Sequence, residues 1–200
     1  MSIYFENDSN LKSERKIIKI KIKDTTMELI TDNGVFSKDK LDYGTRLLLE
    51  TITKENLIGN TLDLGCGYGI IGIYLSLTTN LSKIDMVDVN KRAILLAKDN
   101  IKLNKLTNIN VFESDIYSEV KDKYNYIITN PPIRAGKEIL RKFLYGAKDY
   151  LKEDGQLWFV MRKDHGVKTM IKELENIYKI EIMEKSKGFY IVKCLKLTNK

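Results

Sequence analysis

This chain is poor in the residues on which much enzyme chemistry depends. It holds one histidine, two cysteines, two prolines and one tryptophan among 200 residues. The lone histidine, His165, stands beside Gly166 at a strand-to-helix junction with no second imidazole to join it. Zinc chemistry and a serine or cysteine triad therefore lack support, and no metal site is expected. Cys66 and Cys194 supply neither a ligand cluster nor a disulfide framework and read as two reduced thiols. Apolar runs such as Gly69 to Leu77 fall well short of the roughly 18 to 20 residues that span a bilayer, so no membrane partner is expected. The start, Met1-Ser2-Ile3-Tyr4-Phe5-Glu6, has neither the basic leader nor the apolar core of a secretory signal, and a cytoplasmic location is the expectation.

What is present suits a single globular domain over 1–200, since 43% of the residues are hydrophobic and no linker or repeat divides the chain. Residues 1–40 read as a strand-rich extension and 41–200 as the core. The net charge is +7, and between Lys12 and Lys23 six basic side chains face the single acid Glu14. That run suits a polyanionic partner. It equally suits a half-buried strand with a lysine-rich outer face, because Ile18, Ile20 and Ile22 alternate with Lys19, Lys21 and Lys23.

The extension offers strands over Lys16 to Lys23 and Thr26 to Thr31, then the turn signal Asp32-Asn33-Gly34. Asp42 to Thr53 has helical spacing, with Leu47, Leu48 and Ile52 on one side. From there strands and helices alternate. Strands are expected over Thr61 to Leu64, Lys83 to Val89, Ile109 to Glu113, Tyr124 to Thr129 and Gln156 to Arg162. Helices are expected over Ile70 to Leu77, Lys91 to Asn104, Lys137 to Leu151 and Val167 to Tyr178. Strands linked through crossover helices predict a parallel sheet. At the end, Ile180 to Met183 and Gly188 to Leu197 are separated only by Glu184 to Lys187, which predicts an antiparallel hairpin.

The first core strand runs into Asp63-Leu64-Gly65-Cys66-Gly67-Tyr68-Gly69. Gly67 to Gly72 literally satisfies G-x-G-x-x-G between a strand and a helix, which keeps an NAD-dependent oxidoreductase in view. The acid separates the readings. Asp63 lies where a pyrophosphate would approach, and like charges in a poorly solvated crevice disfavour each other. S-adenosylmethionine carries a sulfonium and an ammonium instead, so an acidic, glycine-bordered loop suits it. Asp88 ends the next strand at the carboxyl edge, where its oxygens can accept from ribose hydroxyls, with Val89 beside it. Asn90 reads as a helix N-cap rather than a ligand group. Asp115 follows the third strand and can accept from an adenine amine with Ile116 against the ring; a solvated turn aspartate is the plainer reading.

Asn130-Pro131-Pro132-Ile133 closes the strand Tyr124 to Thr129. The prolines stop the sheet and leave the Asn130 side chain and the Pro131 carbonyl as acceptors. An aromatic amine is a poor nucleophile because its lone pair is delocalised into the ring. Two hydrogen bonds accepted from its N–H groups draw the nitrogen toward tetrahedral geometry and aim the lone pair at a methyl donor.

Asn130 to Lys137, together with Gly34-Val35-Phe36-Ser37 and Leu41 to Leu48, resembles the ribosomal RNA small-subunit methyltransferase C family. The resemblance covers most of the chain and only the catalytic half of the longer, tandem family members. It implies an α/β, Rossmann-like class I methyltransferase fold: a mostly parallel seven-stranded sheet with an antiparallel C-terminal hairpin. It also implies S-adenosylmethionine as cofactor, and as acceptor a guanine N2 amine in 16S ribosomal RNA or the 30S subunit. By the same resemblance Asp63, Gly65, Cys66, Gly67 and Gly69 border the methionine side of the cofactor. Phe36, Ser37 and Asp42 to Thr45 form a lid, and Arg134, Lys137 and Arg162 face the RNA. Ile133 stands where relatives acting on adenine or protein glutamine present an aromatic residue. The rivals are the same fold acting on DNA adenine, protein glutamine or a small amine, the NAD enzyme, and a silent RNA-binding module.

Overall fold

A computed structural model describes residues 12–197, so the expectation resting on Met1 to Glu6 lies outside the described residues. The chain opens with a β-hairpin, β1 (Lys16–Ile22) and β2 (Thr25–Thr31), that stands as its own two-stranded sheet. Helix α1 (Tyr43–Ile52) leads into β3 (Ile58–Leu64), α2 (Ile70–Thr78), β4 (Asn80–Asp88), α3 (Lys91–Leu103) and β5 (Ile109–Glu113). The chain then continues through β6 (Tyr124–Thr129), α4 (Lys137–Tyr150), β7 (Leu151–Arg162), α5 (Val167–Leu174), β8 (Tyr178–Ser186) and β9 (Phe189–Lys196).

Strands β3 to β9 form one sheet in the order β5-β4-β3-β6-β7-β9-β8. The first five are parallel, and β9 lies antiparallel between β7 and β8. From β3 the chain winds outward to β5, then crosses back to begin the other half at β6. The carboxyl ends of β3 and β6 are therefore neighbours at the point where the winding reverses, the place where ligands bind in open α/β sheets.

Alternation along β3 divides the core. Leu62 and Leu64 face the layer holding Phe143, Leu144 and Leu174, from α4 and α5. The opposite layer is built from α1, α2, α3 and the N-terminal hairpin, through Leu48, Ile52, Ile73, Leu96, Met27 and Leu29. The hairpin attaches by more than apolar contact. Asn100 of α3 is fully buried and its amide mimics a strand partner, accepting from the Ile30 N–H at 2.6 Å and donating to the Ile30 carbonyl at 3.0 Å. The same amide nitrogen donates to the Tyr68 carbonyl at 2.9 Å, which ties the hairpin to the glycine loop.

Several boundaries differ from the sequence expectation. The strand at Thr61 begins at Ile58 and the strand at Lys83 begins at Asn80. The helix expected to reach Tyr178 ends at Leu174, because Tyr178 is buried at the start of β8 and its hydroxyl donates to the Leu144 carbonyl at 3.0 Å. β7 begins at Leu151 rather than Gln156, and its pairing with β6 slips where Lys152 to Gly155 bulge out. At the end, Glu184, Lys185 and Ser186 belong to β8, and the connection is only Lys187-Gly188, at φ 48° and 79°. That is the left-handed backbone a two-residue hairpin turn requires.

The basic N-terminal strand resolves toward the plainer of its two readings. Ile20 and Ile22 are buried, while Lys16 pairs with Asp39, Lys19 with Glu28 at 3.3 Å and Arg15 with Asp99 at 3.0 Å. No helix among the described residues is long and apolar enough to cross a membrane.

Candidate active site

The two motifs that stand 65 residues apart meet at their roots, where the Thr129 hydroxyl donates to the Leu64 carbonyl at 2.7 Å. One residue further along each strand lie Gly65 and Asn130, so the glycine loop and the Asn-Pro-Pro corner open on the same crevice.

The loop turns sharply because Gly65, Gly67 and Gly69 sit at φ 72°, 55° and 98°. A side chain on Gly65 would press the Phe143 ring at 3.1 Å, whereas a Cβ on Gly67 meets nothing within 4 Å. The backbone at Gly67 is thus bare toward the crevice. The Gly65 and Cys66 N–H groups both donate to the Val87 carbonyl at 2.9 Å, holding the loop against β4. Cys66 adds no side chain to the crevice. Its thiol is buried, donates weakly to the Gly67 carbonyl at 3.4 Å, and is pushed well above the usual thiol range by burial and by Asp63 and Asp88.

Asp63 lies beneath the loop rather than on its surface, with no solvent exposure. One carboxyl oxygen accepts from the Gly72 N–H at 3.0 Å, and the other has no partner among the described residues. Burial pushes the carboxyl up to about 7; the Gly72 bond pulls it back and the charge of Asp88 adds to the rise. Asp88 is half-buried at the end of β4, accepting from the Gly67 N–H at 2.8 Å and the Asn90 N–H at 2.9 Å. Desolvation raises its carboxyl too, against the lowering by the Asn90, Gly67 and Val89 N–H groups. Asn90 caps α3, accepting from Arg92 and Ala93 N–H, as expected.

This donor set fits the sulfonium cofactor implied by the sequence. Burial raises both carboxyls, the charge of Asp88 adds to the rise at Asp63, and an orphaned carboxyl oxygen sits under the glycines. A cation relieves that repulsion, whereas a pyrophosphate would add to it. The residues positioned to hold such a group are the Gly65 to Gly69 backbone and Asp88, with Asp63 acting through its field. Beyond β5, Asp115 is exposed and Ile116 takes φ 56°, in a turn held by Ser114, whose hydroxyl donates to the Ile116 carbonyl at 3.0 Å.

At the other lip Pro132 sits at φ −76°, ψ 79°, and the Ile133 N–H donates back to the Pro131 carbonyl at 2.9 Å. That carbonyl keeps its second lone pair. The Asn130 amide nitrogen donates to Thr45 Oγ1 at 2.8 Å and lies 3.2 Å from Asp42 Oδ2. Both amide hydrogens are therefore occupied. The reverse rotamer would set Oδ1 against a carboxylate, so the amide is held with its oxygen free to accept. Asp42 is fixed in turn as N-cap of α1, accepting from the Thr45 N–H at 2.9 Å. The resemblance places Asp42 and Thr45 in the lid; in the fold they position Asn130. The Asp-x-x-Thr spacing ahead of an apolar helical pattern is the N-cap signal that marks the first of them.

The remaining expected residues are dispersed around the rim. Phe36 is 53% exposed, and the Ser37 carbonyl accepts from the buried Tyr68 hydroxyl at 2.9 Å, which hangs the 32–41 loop on the glycine loop. Arg134 and Lys137 are exposed beyond the corner. Arg162, at the end of β7, pairs with Asp164 at 3.0 Å and lies over the Phe189 ring.

The strand order, the reversal point and the two motifs define the architecture of a Rossmann-like class I methyltransferase. More narrowly, the chain belongs to the methyltransferase small domain family, whose model matches residues 26–193. It is 35% identical to the uncharacterized protein YbxB of Bacillus subtilis (strain 168), over 97% of this chain and 98% of that protein. It is 31% identical to the ribosomal RNA small subunit methyltransferase C of Psychromonas ingrahamii, over 92% of this chain and 52% of that one. The chain spans about half the length of the methyltransferase C relatives it matches. A T. thermophilus 16S rRNA N2 methyltransferase, solved with AdoMet and guanosine, superposes with a TM-score of 0.83 over 94% of this chain and 52% of that one, at 21% identity. That likeness is one of fold.

Proposed function

We propose that this chain moves a methyl group from S-adenosylmethionine to the exocyclic N2 amine of a guanine in 16S ribosomal RNA, and that 1–200 works as one catalytic unit. The observation that carries the reading is the fixed Asn130 amide. With both hydrogens engaged by Asp42 and Thr45, it can only accept from an incoming group. An acceptor oxygen beside the Pro131 carbonyl suits an amine with two N–H groups and does not suit a carboxylate or a carbonyl substrate. The 16S rRNA acceptor is supported by the likeness to ribosomal RNA small subunit methyltransferase C relatives and to the 16S rRNA N2 methyltransferase of the same fold.

S-adenosylmethionine, when bound, supplies an electrophilic methyl on a cationic sulfur. The chain's own residues do the rest. The bare backbone at Gly67 would admit the cofactor, Asp88 would accept from its ribose, Asp115 from its adenine amine, and Ile116 would pack on the ring. Asn130 and Pro131 accept from the guanine N2 hydrogens and orient its lone pair, with Pro132 and Ile133 stiffening the corner. Phe36 and Ser37 cover the site, while Arg134, Lys137 and Arg162 meet the phosphodiester. No base is needed to start the attack, because the nitrogen would keep its proton until the methyl has been transferred and would then release it to water. A ribosomal substrate puts this work in the cytoplasm, on free RNA or on the 30S particle.

The test is incubation of the protein and methyl-labelled cofactor with naked 16S RNA and, separately, with 30S particles, followed by nucleoside mass spectrometry. N2-methylguanosine in either arm is the expected result. Label absent from RNA in both arms, but present in DNA adenine or in protein, would transfer the assignment to one of the rival acceptors.

A further inference from the structure

Beside the Asn130 corner lies a surface of which the proposed function uses only Arg162. Gly44, in the first turn of α1, has no room for a side chain because a Cβ there would lie 2.8 Å from the Phe189 ring and 3.1 Å from Asp42 Oδ2. Phe189 is thereby pressed against the same turn that fixes Asn130. Tyr43 joins it, with ring centroids 5.5 Å apart and planes inclined at 52°, and its hydroxyl bonds to Ser186 at 2.8 Å. Both rings are half-buried. Over them lie two cations: Lys187 Nζ is 4.7 Å from the Tyr43 ring centre, and the Arg162 guanidinium is 5.3 Å from that of Phe189.

The charges are unequal in kind. Arg162 is shared with Asp164 at 3.0 Å. Lys187, at the tip of the β8–β9 turn, is exposed, and among the described residues no carboxylate lies within ion-pair reach of it. Half-buried rings with exposed cations lying over them are a composition that binds single-stranded nucleic acid, a base taking the cation's place on the ring as the cation swings out to meet its phosphate. The β8–β9 tip also carries an internal contrast. Lys185 pairs across β9 with Tyr190 and lies 5.1 Å from that ring, on the opposite face of the sheet with the α4 and α5 layer.

The geometry points to a docking ledge, formed by Tyr43, Phe189, Arg162 and Lys187, for the single-stranded RNA nucleotide that flanks the base held at Asn130. This rests on the RNA acceptor proposed above and adds where the neighbouring nucleotide lies. The ledge is contiguous with the crevice through Asp42 and Gly44, so a base flipped toward Asn130 leaves its neighbour over Tyr43 and Phe189. Lys187→Glu and Lys185→Glu change the net charge identically and alter opposite faces of the sheet.

The experiment measures binding of a short fluorescein-labelled single-stranded RNA containing one guanosine, across a salt series, for the full chain and both variants. Methyl transfer to the same RNA is followed alongside. Lys187→Glu weakens binding about tenfold and lowers the salt slope by about one, while Lys185→Glu stays within about twofold of the parent. Both variants keep the parent's thermal stabilisation by S-adenosylhomocysteine. Equal losses in the two variants would mean bulk charge rather than a ledge and would overturn the proposal while leaving the methyltransferase reading intact. A parent chain that neither binds nor methylates this RNA, naked 16S RNA or 30S particles fails the acceptor reading, and the ledge with it. Loss of polyglutamate binding in Lys187→Glu, with RNA binding unchanged, would assign the surface to an acidic protein and also overturn the proposal.

Discussion

The Asn130 side chain is locked by Asp42, 88 residues away in the chain, through a contact of 3.2 Å between amide nitrogen and carboxylate oxygen. A carboxylate oxygen only accepts, so it dictates which end of the amide faces the crevice. Asp42→Asn keeps the size and the capping ability of the side chain, since asparagine caps helices as well as aspartate. It loses the dictation, because an asparagine can donate to a rotated Asn130. The expected result is a fall in turnover of up to about a hundredfold with cofactor affinity unchanged. Steady-state rates set beside calorimetric binding would reveal it, and unaltered turnover would mean that Asp42 merely caps α1.

Cofactor affinity should depend on pH through Asp63. An unfolded aspartate titrates near 3.8 and this one, chiefly through burial, near 7. Between these values the folded protein holds a proton that the unfolded chain has released. Its contribution to stability is therefore complete below about pH 4 and lost as pH rises through about 7. A cation in the crevice favours the ionised form, so S-adenosylmethionine affinity should rise from about pH 5 to about pH 7, with proton release on binding at the acid end. Calorimetry in buffers of different ionisation heat measures both quantities. In Asp63→Asn the rise should flatten; a rise that persisted undiminished would locate the titration elsewhere.

Two glycines of the loop region should fail in different ways. A Cβ at Gly72 would fall 2.3 Å from the Met86 sulfur, inside a fully buried layer. Gly72→Ala should therefore lose about 1–3 kcal/mol of stability through overpacking. Gly67→Ala meets no atom but holds φ 55°, a strain of about 1 kcal/mol for alanine. Its methyl occupies the crevice, so its main defect should be in cofactor binding. Denaturant melts and binding isotherms on the two variants separate these effects, and the reverse ranking would contradict the loop geometry described here.

Asn100 serves two masters within the core. Asn100→Leu leaves the Ile30 N–H, the Ile30 carbonyl and the Tyr68 carbonyl without the amide that serves them. The expected loss is about 1–3 kcal/mol for each group stranded away from water. Hydrogen exchange should show early release of β1 and β2, and protection equal to the parent's in that hairpin would show that its apolar contacts suffice.

The repeated strands and helices were legible in the sequence because each has its own period, and the two motifs were legible because their residues are adjacent in the chain. What escaped was long-range. Asn100 reads as one polar residue in an amphipathic helix until β2 is laid beside it. Asp42 and Thr45 read as lid residues until α1 brings them to Asn130. The β8 boundary was missed because Glu184 and Lys185 look like loop, although edge strands carry charge readily. Asp63 is legible as an acid beside the glycine loop, whereas its depth under the loop follows only from α2 packed against β3.

The central claim is that the glycine loop holds the methyl donor while Asn130 presents the amine, two jobs on two lips of one crevice. Its most direct test is Asn130→Ala, assayed for turnover on 16S RNA and for S-adenosylmethionine binding in the same preparation. The expected outcome is loss of most turnover with binding within about threefold of the parent, a difference under about 1 kcal/mol. A variant that bound cofactor poorly yet turned over normally at saturating cofactor would contradict it.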